Sequence, residues 1–287
     1  MSHSGQQTAV TVVQFNREDP GAALQIRSIP IPRPGKGEAL CRMYLRPINP
    51  SDVYSIQGLY PGFRPTSLPA VPGVEGLGIV EAHGEGAGNL KIGQRVVAIW
   101  PTWPVAQGNG TWQQYICVNE DILVAVPDGM ADEVAAQFLV NPITAVGMLE
   151  ILQIPQGEWL VQDAAASVLG RQMIQYARLK GVKTINIVRR PEQAQELLDL
   201  GADVVVCSST EDVVAQAKAA TGGRGAYGGI DAVAGDTLAK VISSVRRKGT
   251  ILNYGTLSGQ TYSLEDAQSA LEHATKDLRG GKAFLKG

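Results

Sequence analysis

Residues 158–190 read Glu158-Trp-Leu-Val-Gln-Asp163, Ala164-Ala-Ala-Ser-Val-Leu-Gly170, Arg171-Gln-Met-Ile-Gln-Tyr-Ala-Arg-Leu-Lys-Gly181 and, from Lys183, Lys183-Thr-Ile-Asn-Ile-Val188-Arg189-Arg190. A short apolar run, a turn of small residues, an amphipathic segment and a second apolar run follow one another. That is the order strand, turn, helix, strand at the length of one βαβ unit. In such a unit the turn presents backbone N–H groups and a helix N-terminus to a pyrophosphate. The glycine fingerprint of that turn is not intact, because Ala164, Ala165 and Ala166 precede Ser167 and Val168, and only Gly170 remains. Small residues still admit a phosphate, although Val168 is bulkier than the usual glycine. Taken alone, the turn fits a nucleotide site and a plain α/β core equally.

The end of the second apolar run carries more information. A unit that binds NAD places Asp or Glu about 20 residues after the turn, where it accepts from the ribose 2′-hydroxyl. Here that place holds Arg189 and Arg190. Two guanidiniums suit a 2′-phosphate, which they grip through paired, charge-assisted hydrogen bonds. The alternative is a solvated basic loop; the location favours a phosphate site and hence NADP(H) over NAD(H).

Working outward, the alternation continues. Ala194–Leu200 reads as a helix ended by Gly201, Asp203–Cys207 as a strand, Asp212–Ala220 as a helix, Ile230–Ala234 as a strand, Asp236–Arg246 as a helix and Gly249–Tyr254 as a fifth strand. Upstream, Ala131–Leu139 and Ile143–Leu152 read as helices. Strand and helix in regular turn predict an α/β fold with a Rossmann-like, doubly wound parallel sheet. Residues 9–126 have a different texture, with short apolar runs between Gly and Pro turns at Ala9–Phe15, Ala39–Leu45, Gly78–Ala82, Arg95–Trp100, Tyr115–Val118 and Ile122–Val126. Their spacing predicts a small, partly closed β-barrel. Ser51 or Asp52 is placed to cap a short helix that begins near Pro50.

Composition excludes several classes. The chain has 287 residues, 44% hydrophobic and 18% charged, with a net charge of -2. This is the profile of a globular enzyme of two domains, with no basic excess for nucleic acid or an anionic membrane. No apolar run reaches membrane-spanning length. The first residues, Met1-Ser-His-Ser-Gly-Gln-Gln7, contain neither a hydrophobic signal core nor an Arg-rich presequence. Cys41, Cys117 and Cys207 and the histidines His3, His83 and His273 have no ligand spacing, so no metal site is expected. The cysteines read as buried free thiols of a reducing compartment.

Seven stretches are distinctive: Pro47-Ile-Asn-Pro-Ser-Asp52, Ile56-Gln-Gly-Leu-Tyr60, Leu68-Pro-Ala-Val-Pro-Gly-Val-Glu75-Gly76, Gly110-Thr-Trp112, Val140-Asn-Pro-Ile-Thr-Ala145, Ile185-Asn-Ile-Val-Arg189 and Asn253-Tyr-Gly255. Asp266-Ala-Gln-Ser-Ala-Leu271 and Gly281-Lys-Ala-Phe284 add to them. In these residues the chain resembles the zinc-free branch of the medium-chain dehydrogenase/reductase superfamily, and within it the mitochondrial-type trans-2-enoyl-thioester reductases. The resemblance implies a GroES-like domain over residues 1–140, joined by 262–287, and a Rossmann-like NADP(H) domain over 141–261. It further implies NADPH as cofactor and hydride transfer to the β-carbon of a 2-enoyl-CoA or acyl-carrier-protein thioester in fatty-acid synthesis. A mitochondrial location and a homodimer joined through sheet edges belong to the same expectation, with a cytoplasmic location as the alternative.

By the same resemblance Tyr60 is the catalytic tyrosine, donating to the thioester oxygen or protonating the α-carbon. From the residues alone it reads as an amphipathic loop tyrosine. Asn49 orients that region, or forms an Asx-turn between prolines, and Trp112 walls the pocket. Asn141 lies near cofactor and substrate, although Asn-Pro is also a turn signal. Ala166, Ser167, Val168 and Leu169 line the pyrophosphate, and Arg189 and Arg190 take the 2′-phosphate. Tyr254, Gly255, Thr256 and Leu257 follow the nicotinamide, and Lys282 is a late cofactor contact. Two departures stand out. Val168 replaces a glycine, and the segment between Tyr254 and Glu265 is too short to carry a sixth strand. A shortened partner subunit and a quinone oxidoreductase of the same superfamily therefore remain alternatives.

Overall fold

The computed structural model describes residues 5–98 and 108–255, together with the backbone of Phe284–Lys286. The chain divides into two compact units, Met1–Val140 with Lys282–Gly287, and Asn141–Gly281.

The first unit is built on antiparallel strands. β1 (Gln6–Val12) pairs β2 (Leu24–Pro30) as a two-stranded ribbon. β3 (Glu38–Pro47) is the hub of the larger sheet, flanked by β4 (Leu77–His83) and β6 (Tyr115–Asn119). The sheet continues from β4 through β5 (Arg95–Ala98) to β7 (Leu123–Ala125), and the backbone of β13 (Phe284–Lys286) pairs with the end of β3. Strand alternation sets the core. Ala39, Cys41 and Met43, every second residue of β3, pack with Val80, Val96, Ile116 and Val118, as a period of two requires. β2 is absent from the sequence-based expectation, because its run Leu24-Gln-Ile-Arg-Ser-Ile-Pro30 is mostly exposed and offers no apolar face.

Helix α1 (Pro50–Ile56) also differs from expectation. Its N-cap is Asn49, not Ser51 or Asp52; Pro50 occupies the first helical turn and Asp52 stands three residues in. Pro50 suits that place, where a missing N–H costs nothing. Asp52 accepts the backbone N–H of Asn49 at 2.7 Å, the returning half of a capping box. Helix α2 (Asp132–Ala136) follows β7.

The second unit is a five-stranded parallel sheet in the order β10-β9-β8-β11-β12. Its strands are β8 (Trp159–Gln162), β9 (Lys183–Val188), β10 (Val204–Cys207), β11 (Ala226–Asp231) and β12 (Val245–Asn253). The helices are α3 (Val140–Leu152), whose first residue closes the first unit, α4 (Val168–Leu179), α5 (Ala194–Leu200), α6 (Val213–Ala220) and α7 (Gly235–Ser244). Neighbouring residues of β8 serve opposite faces. Leu160 packs with Leu149, Leu152, Leu169 and Met173 from α3 and α4, whereas Val161 packs with Val213, Ala217 and Val241 from α6 and α7. A sheet covered on both faces explains why every residue of β9 after Lys183 is buried.

Several boundaries moved: the strand expected at Ile230–Ala234 lies at Ala226–Asp231 and that expected at Ala9–Phe15 at Gln6–Val12, and two further shifts have a plain cause. The helix expected to start at Ile143 starts at Val140, because Pro142 falls in the first turn, where it is tolerated. The strand expected from Gly249 begins at Val245, so Arg246 and Arg247 lie on a strand and not at a helix end. Basic residues at that point imitate a helix C-terminus. The expected helix near 265–274 and the shortness after Tyr254 fall outside the described residues.

Candidate active site

In the first unit, two buried carboxylates organise the start of α1. Asp52 is fully buried; beyond its bond to Asn49 it accepts the backbone N–H of Val74 at 3.1 Å. Glu75, also buried, accepts the side-chain amide of Asn49 at 2.9 Å through Oε1, and the backbone N–H of Val140 at 2.9 Å through Oε2. Asn49 is therefore more than a turn residue: its amide ties α1 to the loop around Glu75. Its Oδ1 is buried without a partner.

Tyr60 follows α1 on a turn in which its own N–H donates to the carbonyl of Tyr54 at 3.1 Å. Arg64 donates to the Tyr60 carbonyl at 3.0 Å. The ring is half-buried, and burial, seconded by the charge of Asp52, raises its pKa above the ordinary phenol value. A phenol is a neutral donor through the physiological range, and this shift widens that margin. Trp112 is a wall residue, packed among Ala9, Val12, Ile56 and Val71, and its indole N–H is buried with no acceptor. Asn49, Asp52, Tyr60 and Glu75 thus form one connected neighbourhood.

In the second unit the turn after β8 has the geometry of an anion cradle. Ala164 takes φ 44°, a left-handed conformation usually left to glycine. Ser167 is the N-cap of α4, and its hydroxyl accepts the N–H of Gly170 at 3.1 Å. The N–H groups of Val168 and Leu169, at the first two helical positions, have no intrahelical acceptor and can face an anion. Val168 is half-buried at the first position of α4, where its side chain is accommodated. Gly170 must be glycine, since a Cβ there would stand 2.5 Å from the Ala165 carbonyl oxygen.

Arg189 and Arg190 are exposed at the tip of β9. The Arg189 carbonyl accepts from Ser209 Oγ at 2.9 Å and Cys207 Sγ at 3.4 Å, which fixes the backbone there. Arg190 pairs with Glu192 at 3.4 Å across solvent, a contact worth about 0–1 kcal/mol. Tyr254 and Gly255 follow β12. Tyr254 packs on the α3–α4 cluster, and Gly255 lies so near Ala232 that a Cβ would meet its carbonyl oxygen at 2.8 Å. Asn141 opens α3 with a buried, unpartnered Nδ2. Thr256, Leu257 and Lys282 lie outside the described residues.

Sequence reasoning missed two residues here. Asp163 and Asp231 end adjacent strands, β8 and β11, and are 1% and 0% exposed. Asp163 Oδ1 accepts the Ala232 N–H at 2.7 Å; both oxygens of Asp231 accept the Ala234 N–H at 3.1 Å, and Asn253 donates to Asp231 Oδ2. Burial, then the neighbouring Asp231 carboxyl, push the Asp163 carboxyl up to about 9. Tyr254 is driven far up by burial and by the same two carboxyls. The signal in sequence was a lone acid in each of two apolar stretches, Asp163 after Trp159–Gln162 and Asp231 between Ile230 and Ala232. Among the described residues no group of three or more His, Cys, Asp or Glu is placed to hold a metal ion.

Residues 35–128 match the alcohol dehydrogenase GroES-like domain and residues 168–276 the zinc-binding dehydrogenase domain. Over 84% of this chain and 68% of its own length, the mitochondrial enoyl-[acyl-carrier-protein] reductase of Caenorhabditis elegans is 33% identical.

The chain belongs to the medium-chain dehydrogenase/reductase superfamily.

Other members that carry the same reductase name are covered over 52% to 74% of their length, so the chain spans between about half and three quarters of these relatives. Among solved structures of the superfamily, a putative NADPH:quinone reductase from Bacillus thuringiensis matches with TM-score 0.84 and 27% identity, over 99% of this chain and 100% of that one. The Escherichia coli quinone oxidoreductase, solved with NADPH, matches with TM-score 0.76 and 28% identity, over 92% and 78%. No helix among the described residues is long and apolar enough to cross a membrane.

Proposed function

We propose that this superfamily member is an NADPH-dependent reductase of the 2,3 double bond of trans-2-enoyl thioesters. The observation that carries the reading is Tyr60, a half-buried phenol on the turn after α1, beside the buried Asp52. Reduction of an enoyl thioester builds negative charge on the thioester oxygen, and a positioned neutral phenol stabilises that charge or delivers the α-proton. The names of the relatives at 30–38% identity support the substrate class.

The second unit fits a dinucleotide. The small-residue turn, the α4 N-terminus and the cradle of Gly170 and Gly255 suit a pyrophosphate and a planar ring, and Arg189 and Arg190 suit a 2′-phosphate. NADPH bound there supplies the hydride for the β-carbon. The chain's own contribution is positional. Ser167, Val168 and Leu169 would hold the pyrophosphate with Ala166, and Tyr254 would bound the nicotinamide side together with Gly255, Thr256, Leu257, Lys282 and Asn141. Asn49 fixes the α1 start from which Tyr60 is presented, and Trp112 excludes water. An acyl-carrier protein or CoA would bring the thioester, and sheet-edge contact would build the homodimer.

A second reading, a quinone oxidoreductase, is favoured by the solved structures at 27–28% identity. Steady-state NADPH oxidation with a medium-chain trans-2-enoyl-CoA, run beside a quinone, separates the two. Faster turnover of the enoyl-CoA is expected; quinone turnover that exceeds it selects the second reading. Folded protein that binds NADPH yet turns over neither substrate selects a shortened partner subunit.

A further inference from the structure

We propose that Asp163 and Asp231 share one proton and, as a pair carrying a single negative charge, tie the end of β8 to the turn after β11 beside the cofactor, so that cofactor affinity is lost when that proton leaves. This rests on the dinucleotide reading of the β8–α4 turn.

The location argues first. In the order β10-β9-β8-β11-β12 the chain direction of sheet growth reverses between β8 and β11, and open parallel sheets bind ligands outside the carboxyl ends of the strands at that point. Asp163 and Asp231 are the residues at those two ends, one register step beyond the pair Gln162 and Ile230. Both hold the turn after β11. Asp163 Oδ1 takes the N–H of Ala232, and Asp231 takes that of Ala234 with both oxygens. That turn contains Ala234 at φ 64°, and Ala164, the residue after Asp163, takes φ 44°; such conformations in non-glycine residues need outside support.

The unfilled valence argues second. Asp163 Oδ2 is buried and makes no hydrogen bond, although the Val233 N–H lies near enough to act on the carboxyl. An ionised carboxylate only accepts, so two of them in contact inside a protein repel. A proton on Asp163 Oδ2 turns that oxygen into a donor toward Asp231. The negative charge then rests on Asp231, which the Ala234 N–H and the Asn253 amide already serve. Among the described residues the titratable groups that act on this pair are Tyr254, following β12, and the two acids themselves. The turn from Ala164 to Val168 adds no titratable side chain.

The sign follows from linkage. Asp163 is raised from 3.8 to about 9, so the folded protein holds a proton that the unfolded chain has released. The stabilising contribution is complete below about pH 4, declines as pH rises and is gone above about pH 9. Asp163→Asn keeps an acceptor for Ala232 and a donor for Asp231 without a titration.

Three measurements test this. The melting temperature of Asp163→Asn minus that of wild type, without cofactor, should climb between about pH 5 and about pH 9 and then level; a difference independent of pH overturns proton sharing. Infrared difference spectra of wild type should show a protonated carboxyl at neutral pH that disappears through about pH 9; its absence overturns the proposal even if the variant does not fold. The Kd of NADPH in wild type should rise about tenfold between about pH 8 and about pH 10, as expected when only the protonated form is competent, and this ratio should collapse toward about one in Asp163→Asn. An equal ratio in both proteins overturns the link to the cofactor. Absence of NADPH binding at every pH, with the first two signatures present, refutes the dinucleotide reading and the bracing role with it, while leaving the shared proton in place.

Discussion

Asn49 donates its side-chain amide to Glu75 Oε1 at 2.9 Å, and the other oxygen of Glu75 receives the Val140 N–H at the same distance. One carboxylate thus ties the start of α1, from which Tyr60 is presented, to the first residue of α3. Glu75→Gln leaves one acceptor where two are used and sets its own N–H₂ against a donor. Because one bond is buried, the other partly so, and both go to a carboxylate, the loss should be about 2–4 kcal/mol, read as a lower urea midpoint with an unchanged slope.

Tyr60→Phe removes the hydroxyl and leaves the ring to fill the same half-buried place. Turnover with enoyl-CoA should drop about 10²–10⁴-fold, while the NADPH Kd, by fluorescence titration, stays where it was. An equal fall in NADPH affinity would remove Tyr60 from the chemistry.

The pH profile of the same reaction follows from the direction of the Tyr60 shift. The donor must be protonated, and burial with Asp52 raises its pKa. At saturating NADPH, kcat should therefore hold level through the ordinary phenol range near about 10 and fall only beyond it. A basic limb well below that value in wild type, absent from Tyr60→Phe, would contradict the shift.

Arg189→Ala and Arg190→Ala should each weaken NADPH by about tenfold to a hundredfold and change NADH little, because a charged hydrogen bond to phosphate is worth about 1.5–3 kcal/mol. Titration of both nucleotides on each variant checks this. The Arg190–Glu192 pair is too exposed to offset the loss. Equal loss of both nucleotides would place the arginines in a structural role.

Gly170→Ala tests the close approach of α4 to β8. The added Cβ would lie 2.5 Å from the Ala165 carbonyl oxygen, a backbone atom that cannot swing aside. A shift of the helix start costs about 1–3 kcal/mol, and it should lower both the melting temperature and the NADPH affinity.

Much of this protein was legible without coordinates. Strand, turn and helix between Trp159 and Val188 follow from apolar spacing and small residues, both local properties of the chain. The arginine pair at 189–190 could be placed because a βαβ unit fixes the distance from turn to strand tip. Other features were not local. β2 has no apolar face of its own and exists because β1 pairs with it over seven residues. Asn49 looks like any Asn between prolines until the fold brings Glu75 to its amide. Asp163 and Asp231 are 68 positions apart by number and meet only because β8 and β11 are neighbours in the sheet. Sequence by itself determined the period of each element and the residue types at each strand tip, since these depend on side chains a few positions apart. Tertiary structure alone decided which distant acids are buried together, because desolvation and charge proximity belong to the packed chain and not to any stretch of it.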